Sequence, residues 1–236
     1  MNGNPYTSPA SAAPPTGRIT LTAEFILVYV LIPALPLTGI GPRWYVPAFL
    51  AAVVWIAGVG IRARWSRRGP RHRRAARDAR RDLGTRRRLP PDFASIAVTF
   101  LAFAIISTVM IALIRPDLLF GAPREAPRRW LLFWFIYTVG SVAPQEALFR
   151  VVFFDRYRPL WGDRMWLALL LNAVSFSIAH AILHHPIVYA LTFAGGYVFS
   201  LHWLRSRRFL SLCLLHGAYG FWLFTVGLGP VFGFPF

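Results

Sequence analysis

Apolar residues along this chain fall into blocks of about twenty, separated by short runs of arginine, proline and glycine. Seven such blocks stand at Leu21–Ile40, Trp44–Ile61, Phe93–Ile114, Trp130–Phe154, Met165–Leu183, Ile187–Leu204 and Phe209–Leu228. Each is near the roughly 20 residues that an α-helix needs to cross a hydrocarbon core. The pattern predicts an all-α, polytopic membrane bundle of about seven transmembrane helices. Glu24, Pro33 and Pro36 predict a kink or a partly interfacial segment in the first block. The opening 17 residues are polar and rich in proline, with no basic run, and are expected to form a disordered tail rather than a secretory signal. The chain thus divides into a tail (1–17), two membrane helices (18–61), an arginine-rich loop (62–91) and a membrane-embedded core (92–236).

Composition strengthens this reading. Hydrophobic residues make up 56% and aromatics 16% of 236 residues, against about 45–50% apolar in an ordinary soluble domain. The basic excess is entirely arginine and gives a formal charge of +17. Thirteen of the arginines lie between Arg62 and Arg88, opposed only by Asp78 and Asp82. Clustering between apolar blocks makes them topology signals, so this loop is expected in the cytoplasm with the amino terminus, and the carboxyl terminus outside. "DRYRPLWGDR" and "RSRR" then fall inside as well, whereas Arg115, Arg124, Arg128 and Arg129 fall outside against the rule. Nucleic acid is not an expected partner; the lipid bilayer is. One cysteine, Cys213, excludes an internal disulfide and a cysteine-rich metal knuckle.

Polar residues inside spans are costly, so they mark chemistry or helix contacts. Glu146 and Arg150 in the fourth span are four apart on one helical face, where each lowers the cost of burying the other. Pro144 just before them predicts a kink or a helix restart. In the fifth span Asn172, Phe176, His180 and His184 recur every four residues as a stripe. His216 enters from the seventh, with Gly217 and Gly220 allowing a neighbouring helix to approach. At about 1.5 Å per residue, Glu146 lies about 12 Å and His216 about 10 Å above the inner ends of their spans, and His180 nearer 20 Å if its helix starts at Met165. The agreement of the first two predicts a cavity reached from the cytoplasmic side.

Taken singly, each residue has a plainer role. His184, His185 and His202 suit interhelical hydrogen bonds, Glu24 an interfacial site, and Glu146 with Arg150 a structural ion pair. The combination of a glutamate, an arginine and two histidines on three spans is the chemistry for activating water: one group accepts a proton while another steadies negative charge on a carbonyl oxygen. Zinc held by Glu146, His180 and His216 is an alternative, although the paired H-E-x-x-H of zincins is missing. A scaffold or immunity-type protein binding a partner through the same polar cavity, or a proton-relaying transporter, uses the same residues without hydrolysis; no internal repeat supports the transporter.

"QEALFR" (Gln145 to Arg150), "FSIAH" (Phe176 to His180) and "HGAYG" (His216 to Gly220) resemble, in order, the three motifs of the CPBP family of intramembrane endopeptidases, also called the Abi or type II CAAX prenyl protease family. The resemblance covers about the last 100 residues. It implies metal-free glutamate chemistry without a cofactor, with Glu146 and His180 activating water, His216 stabilising the oxyanion and Arg150 holding the carboxylate. It also implies a membrane-anchored protein or peptide as substrate, and a multi-pass protein of a bacterial inner membrane. Two positions depart from the family pattern. Gln145 stands where its first glutamate belongs, which moves the base to Glu146, and Gly220 stands where an oxyanion asparagine is expected, leaving water, backbone or Tyr219 to fill the gap.

Overall fold

A computed structural model of the chain describes residues 15–39 and 93–232. The predicted tail, the second span Trp44–Ile61 and the Arg62–Arg88 loop lie, all but the tail's last residues, outside these. The described residues are helical, without a strand. Six long helices are formed: α1 (15–38), α2 (Phe93–Ile114), α3 (127–156), α4 (Met165–Ile178), α5 (Pro186–Ser206) and α6 (Phe209–Val226). Among the described residues, five stretches are long and apolar enough to cross a membrane, namely Gly17–Thr38, Ile96–Ile114, Met165–Leu183, Pro186–Ser206 and Phe209–Val226. These correspond to five of the seven predicted spans. The predicted fourth span lies within α3, which is helical throughout but is made less apolar by its polar stretch from Thr138 to Arg150.

Helix α6 packs against α2, α3 and α5, and α4 against α5 and α1. The tightest crossing is between α4 and α5, where a Cβ on Gly196 would stand 2.9 Å from the Ala173 Cα, so only glycine lets the two backbones meet. Outward faces are apolar: Val98, Leu101, Ile105, Ile106 and Leu113 of α2, with Leu131, Leu132, Phe135 and Ile136 of α3, are exposed. A surface of large aliphatic side chains is costly in water and suits lipid.

The helix does not restart at Pro144. Helix α3 runs through it, with a π-helical turn on either side at Tyr137–Val142 and Ala147–Val152. Each π turn widens the backbone spiral by one residue per turn and so rotates the residues beyond it. This accommodates the missing Pro144 N–H without ending the helix. Tyr29 of α1 docks there, its buried hydroxyl donating to the Leu148 carbonyl at 2.8 Å. Around it Phe25, Phe149, Phe153, Tyr157 and Trp161 form an aromatic cluster of edge and stacked contacts.

Glu24, expected at an interface, is tied into this end of the bundle. Arg156 donates to its carboxylate from Nε at 2.6 Å and Nη2 at 2.5 Å, and the Tyr157 hydroxyl donates at 2.7 Å. Arg18 donates to the Pro159 carbonyl, and Arg207 pairs with Asp155. The same end therefore carries the arginines of 156–164 and 205–208, which topology reasoning puts on one side.

Candidate active site

Three helices bring the sequence candidates together. Glu146 of α3 is wholly buried, and its Oε1 accepts a hydrogen bond from His216 Nδ1 of α6 at 2.7 Å. Arg150, one helical turn on and also wholly buried, places Nε 3.4 Å from the other carboxylate oxygen. That is an ion pair longer than a hydrogen bond, and none of the three guanidinium nitrogens has a hydrogen-bond partner. The guanidinium lies instead over the Phe176 ring, 4.6 Å from its centroid, with the Phe199 ring at 5.9 Å. Two aromatic faces thus stabilise a charge that would otherwise be expensive to bury. Phe199 also stacks on His216, with centroids 4.6 Å apart and planes 23° from parallel.

His180 follows the end of α4, where the chain turns through Ala181–Leu183 into α5. Its Nδ1 donates to the Phe176 carbonyl at 2.8 Å, and its ring meets Phe176 edge to face. Helix α4 does begin at Met165, so His180 is indeed farther from the arginine-bearing end than Glu146 and His216. His180, His216, Phe176 and Phe199 line one cavity of about 400 Å³, together with Tyr137, Ser141, Gln145, Tyr219 and Gly220 among mostly apolar neighbours. Its walls continue through Leu183, Leu191, Leu223, Phe224 and Phe232. These stand toward the ends of their elements opposite the arginines. The cavity thus also extends away from the arginine-bearing end, beyond the depths of Glu146 and His216.

Two hydrogen bonds settle the histidine tautomers. Because a carboxylate and a carbonyl only accept, each Nδ1 carries the proton, and each Nε2 is left with a lone pair. Glu146 does not line the cavity; Gln145 does, donating from its amide to Ser141 Oγ at 2.9 Å. The carboxylate reaches the cavity only through the imidazole of His216. For the same reason Glu146, His180 and His216 do not converge on one point as a zinc set would, and among the described residues no group of three His, Cys, Asp or Glu is placed to hold a metal ion.

The remaining candidates separate. Asn172 is buried but serves packing, donating to the Phe149 carbonyl and accepting from Ser200. His184 leaves the stripe: it is exposed in the turn with φ 47°. His185 caps its own helix α5 by accepting from the Ile187 N–H instead of bonding another helix, and His202 bonds Ser211 across the α5–α6 turn, as its plainer role suggests. Sequence reasoning passed over Tyr137, although Tyr137, Ser141 and Gln145 repeat every four residues and so share a helical face.

Residues 127–222 match the family model described as type II CAAX prenyl endopeptidase Rce1-like, and that stretch contains all three motifs. Over that stretch the chain is similar to this family of membrane proteases, and the apolar helices among the described residues are those of a multi-pass integral membrane protein. No curated protein and no solved structure matches the chain.

Proposed function

We propose that the protein is an intramembrane endopeptidase that hydrolyses a peptide bond of a membrane-anchored protein or peptide, without a cofactor. The observation that carries this reading is the 2.7 Å contact of His216 Nδ1 with the enclosed Glu146, beside His180 on the wall of the same cavity. A histidine whose Nδ1–H is held by a buried carboxylate presents a basic Nε2, and the carboxylate stabilises the imidazolium formed when that nitrogen takes a proton. Glu146 then acts on water through His216 rather than directly, which turns His216 from the expected oxyanion donor into the base. His180 Nε2 accepts the second water hydrogen and orients the attack. Arg150 holds the Glu146 side chain in place. The apolar lining suits the side chains of a membrane-embedded segment. The setting we propose is a bacterial inner membrane with the arginine-bearing end cytoplasmic.

Purified protein in vesicles, incubated with candidate membrane-anchored peptides and followed by mass spectrometry, tests the reading. Cleavage by wild type, reduced about 10²–10³-fold in His180→Ala without loss of folded protein, is expected. Tight peptide binding with no cleavage by wild type would contradict it and mark a binding protein.

A further inference from the structure

With both imidazole N–H groups turned away from the cavity, the oxyanion of a hydrolytic intermediate needs a donor from elsewhere. Among the other cavity hydroxyls, Tyr219 donates to Thr99 Oγ1 at 3.1 Å, Thr99 to the Ile96 carbonyl at 3.0 Å and Thr192 to the Val188 carbonyl at 2.6 Å, while Ser141 Oγ is held by the Gln145 amide at 2.9 Å. Tyr137 is not spent: its hydroxyl forms no hydrogen bond with another described residue. Its ring is fixed, stacked with Phe133 at 5.6 Å and edge to face with Phe224 at 5.2 Å. It stands perpendicular to the His216 ring at 6.4 Å between centroids.

The hydroxyl lies in the space that a side chain at position 220 would fill. A Cβ built on Gly220 collides with the Tyr137 Oη and stands 2.7 Å from Cζ and 2.8 Å from Cε1. Position 220 is one helical turn beyond His216, so the hydroxyl enters the cavity close to the proposed base. Gly220 thus makes room for a donor that arrives from α3 instead of α6.

We propose that Tyr137 is the oxyanion donor of this site, in place of a side chain on α6. This rests on the protease reading above. In the step, the water oxygen bonds to the scissile carbonyl carbon and its proton passes to His216 Nε2. The carbonyl π pair moves onto oxygen, where the Tyr137 O–H donates to it. On collapse the C=O re-forms, the C–N bond breaks, and the proton on His216 goes to the leaving amine. Every electron pair and proton returns to its starting place apart from the hydrolysed bond.

The test uses full-length protein in vesicles and a membrane-anchored peptide that wild type cleaves. Tyr137→Phe keeps the ring and removes only the donor. Its kcat is expected to fall about 10²–10³-fold with KM changed less than about threefold. A peptide aldehyde ending at the cleaved bond, which binds as its tetrahedral hydrate, is expected to lose about 10²-fold in affinity, and the matching alcohol to lose none. Gly220→Asn alone is expected to be inactive, because Tyr137 is in the way. Tyr137→Ala combined with Gly220→Asn, which returns a donor from α6, is expected to exceed Tyr137→Ala at least about tenfold. Unchanged kcat in Tyr137→Phe, or equal losses for aldehyde and alcohol, overturns the assignment while leaving the protease reading intact. A wild type that cleaves nothing and does not prefer aldehyde to alcohol overturns both.

Discussion

Helix α3 carries the arginines of two glutamate–arginine pairs of opposite character. Near its end Arg156 grips Glu24 with both arms of its fork, at 2.6 and 2.5 Å, and Tyr157 adds a third hydrogen bond. Earlier on the same helix Arg150 stands 3.4 Å from Glu146, makes no hydrogen bond, and leaves the other carboxylate oxygen to His216. The first pair satisfies itself and joins α1 to α3. The second is poorly satisfied although it is the more deeply buried, and a pair kept for stability alone would be expected to close its fork, since unpaired charge in a low-dielectric interior is costly. Leaving one oxygen to an imidazole is the arrangement that the proposed chemistry needs.

The largest effect should follow loss of the base. His216→Ala is expected to lower cleavage by about 10⁴-fold or more, with the protein still folded by near-ultraviolet circular dichroism; cleavage within tenfold of wild type would make the two pairs equivalent. Arg150→Met comes next, because it strands the Glu146 carboxylate in an apolar interior. A loss of about 3–5 kcal/mol in stability is expected, read as a drop in Tm in detergent together with lost activity. Arg150→Met with unchanged Tm would show that the guanidinium contributes little there.

For the closed pair the signature reverses. Glu24→Gln is expected to lower stability by about 1–3 kcal/mol while kcat stays within about threefold of wild type. A large loss of kcat at full stability would show that α1 reaches into the chemistry. The smallest effect belongs to Arg115 and Asp117, an exposed pair beyond the end of α2 at 2.7 Å. The guanidinium holds the Asp117 carboxyl below its usual range. Any stability it gives is therefore present above the ordinary carboxylate pKa and is lost as pH falls through the lowered one. Full exposure makes this too weak to resolve. Melting of Asp117→Asn between pH 3 and 7 is expected to overlay wild type, and a difference growing toward neutral pH would show otherwise.

These contrasts explain what the sequence reveals. The Glu146–Arg150 pair is legible because it is local: four residues apart on a helix puts side chains on one face. The matching depths of Glu146 and His216 follow from span boundaries and helix rise alone, and the two residues do meet. Met165 and Phe209 as helix starts are legible from the arginines before them. What fails is whatever depends on backbone rotation or a distant partner. Two π turns around Pro144 set Gln145 toward the cavity and Glu146 behind it, and no propensity distinguishes a π turn from an α turn before the packing is known. Glu24 looks bare until Arg156, 132 residues away, is found. Tyr137 shares a periodic face with Gln145, a signal obscured by the aromatic richness of the chain, and only the space above Gly220 singles it out.

The central claim is that the enclosed carboxylate works on water through His216. Glu146→Gln removes the charge and keeps the shape, and its amide oxygen can still accept from His216 Nδ1. Single-turnover cleavage of a membrane-anchored peptide by this variant in vesicles tests the claim most directly. A rate lower by about 10³–10⁴-fold with wild-type affinity for the peptide is predicted, the size of effect expected when a base loses the charge that supports its protonated form. A rate within tenfold of wild type would contradict it and return Glu146 to the role of a structural ion.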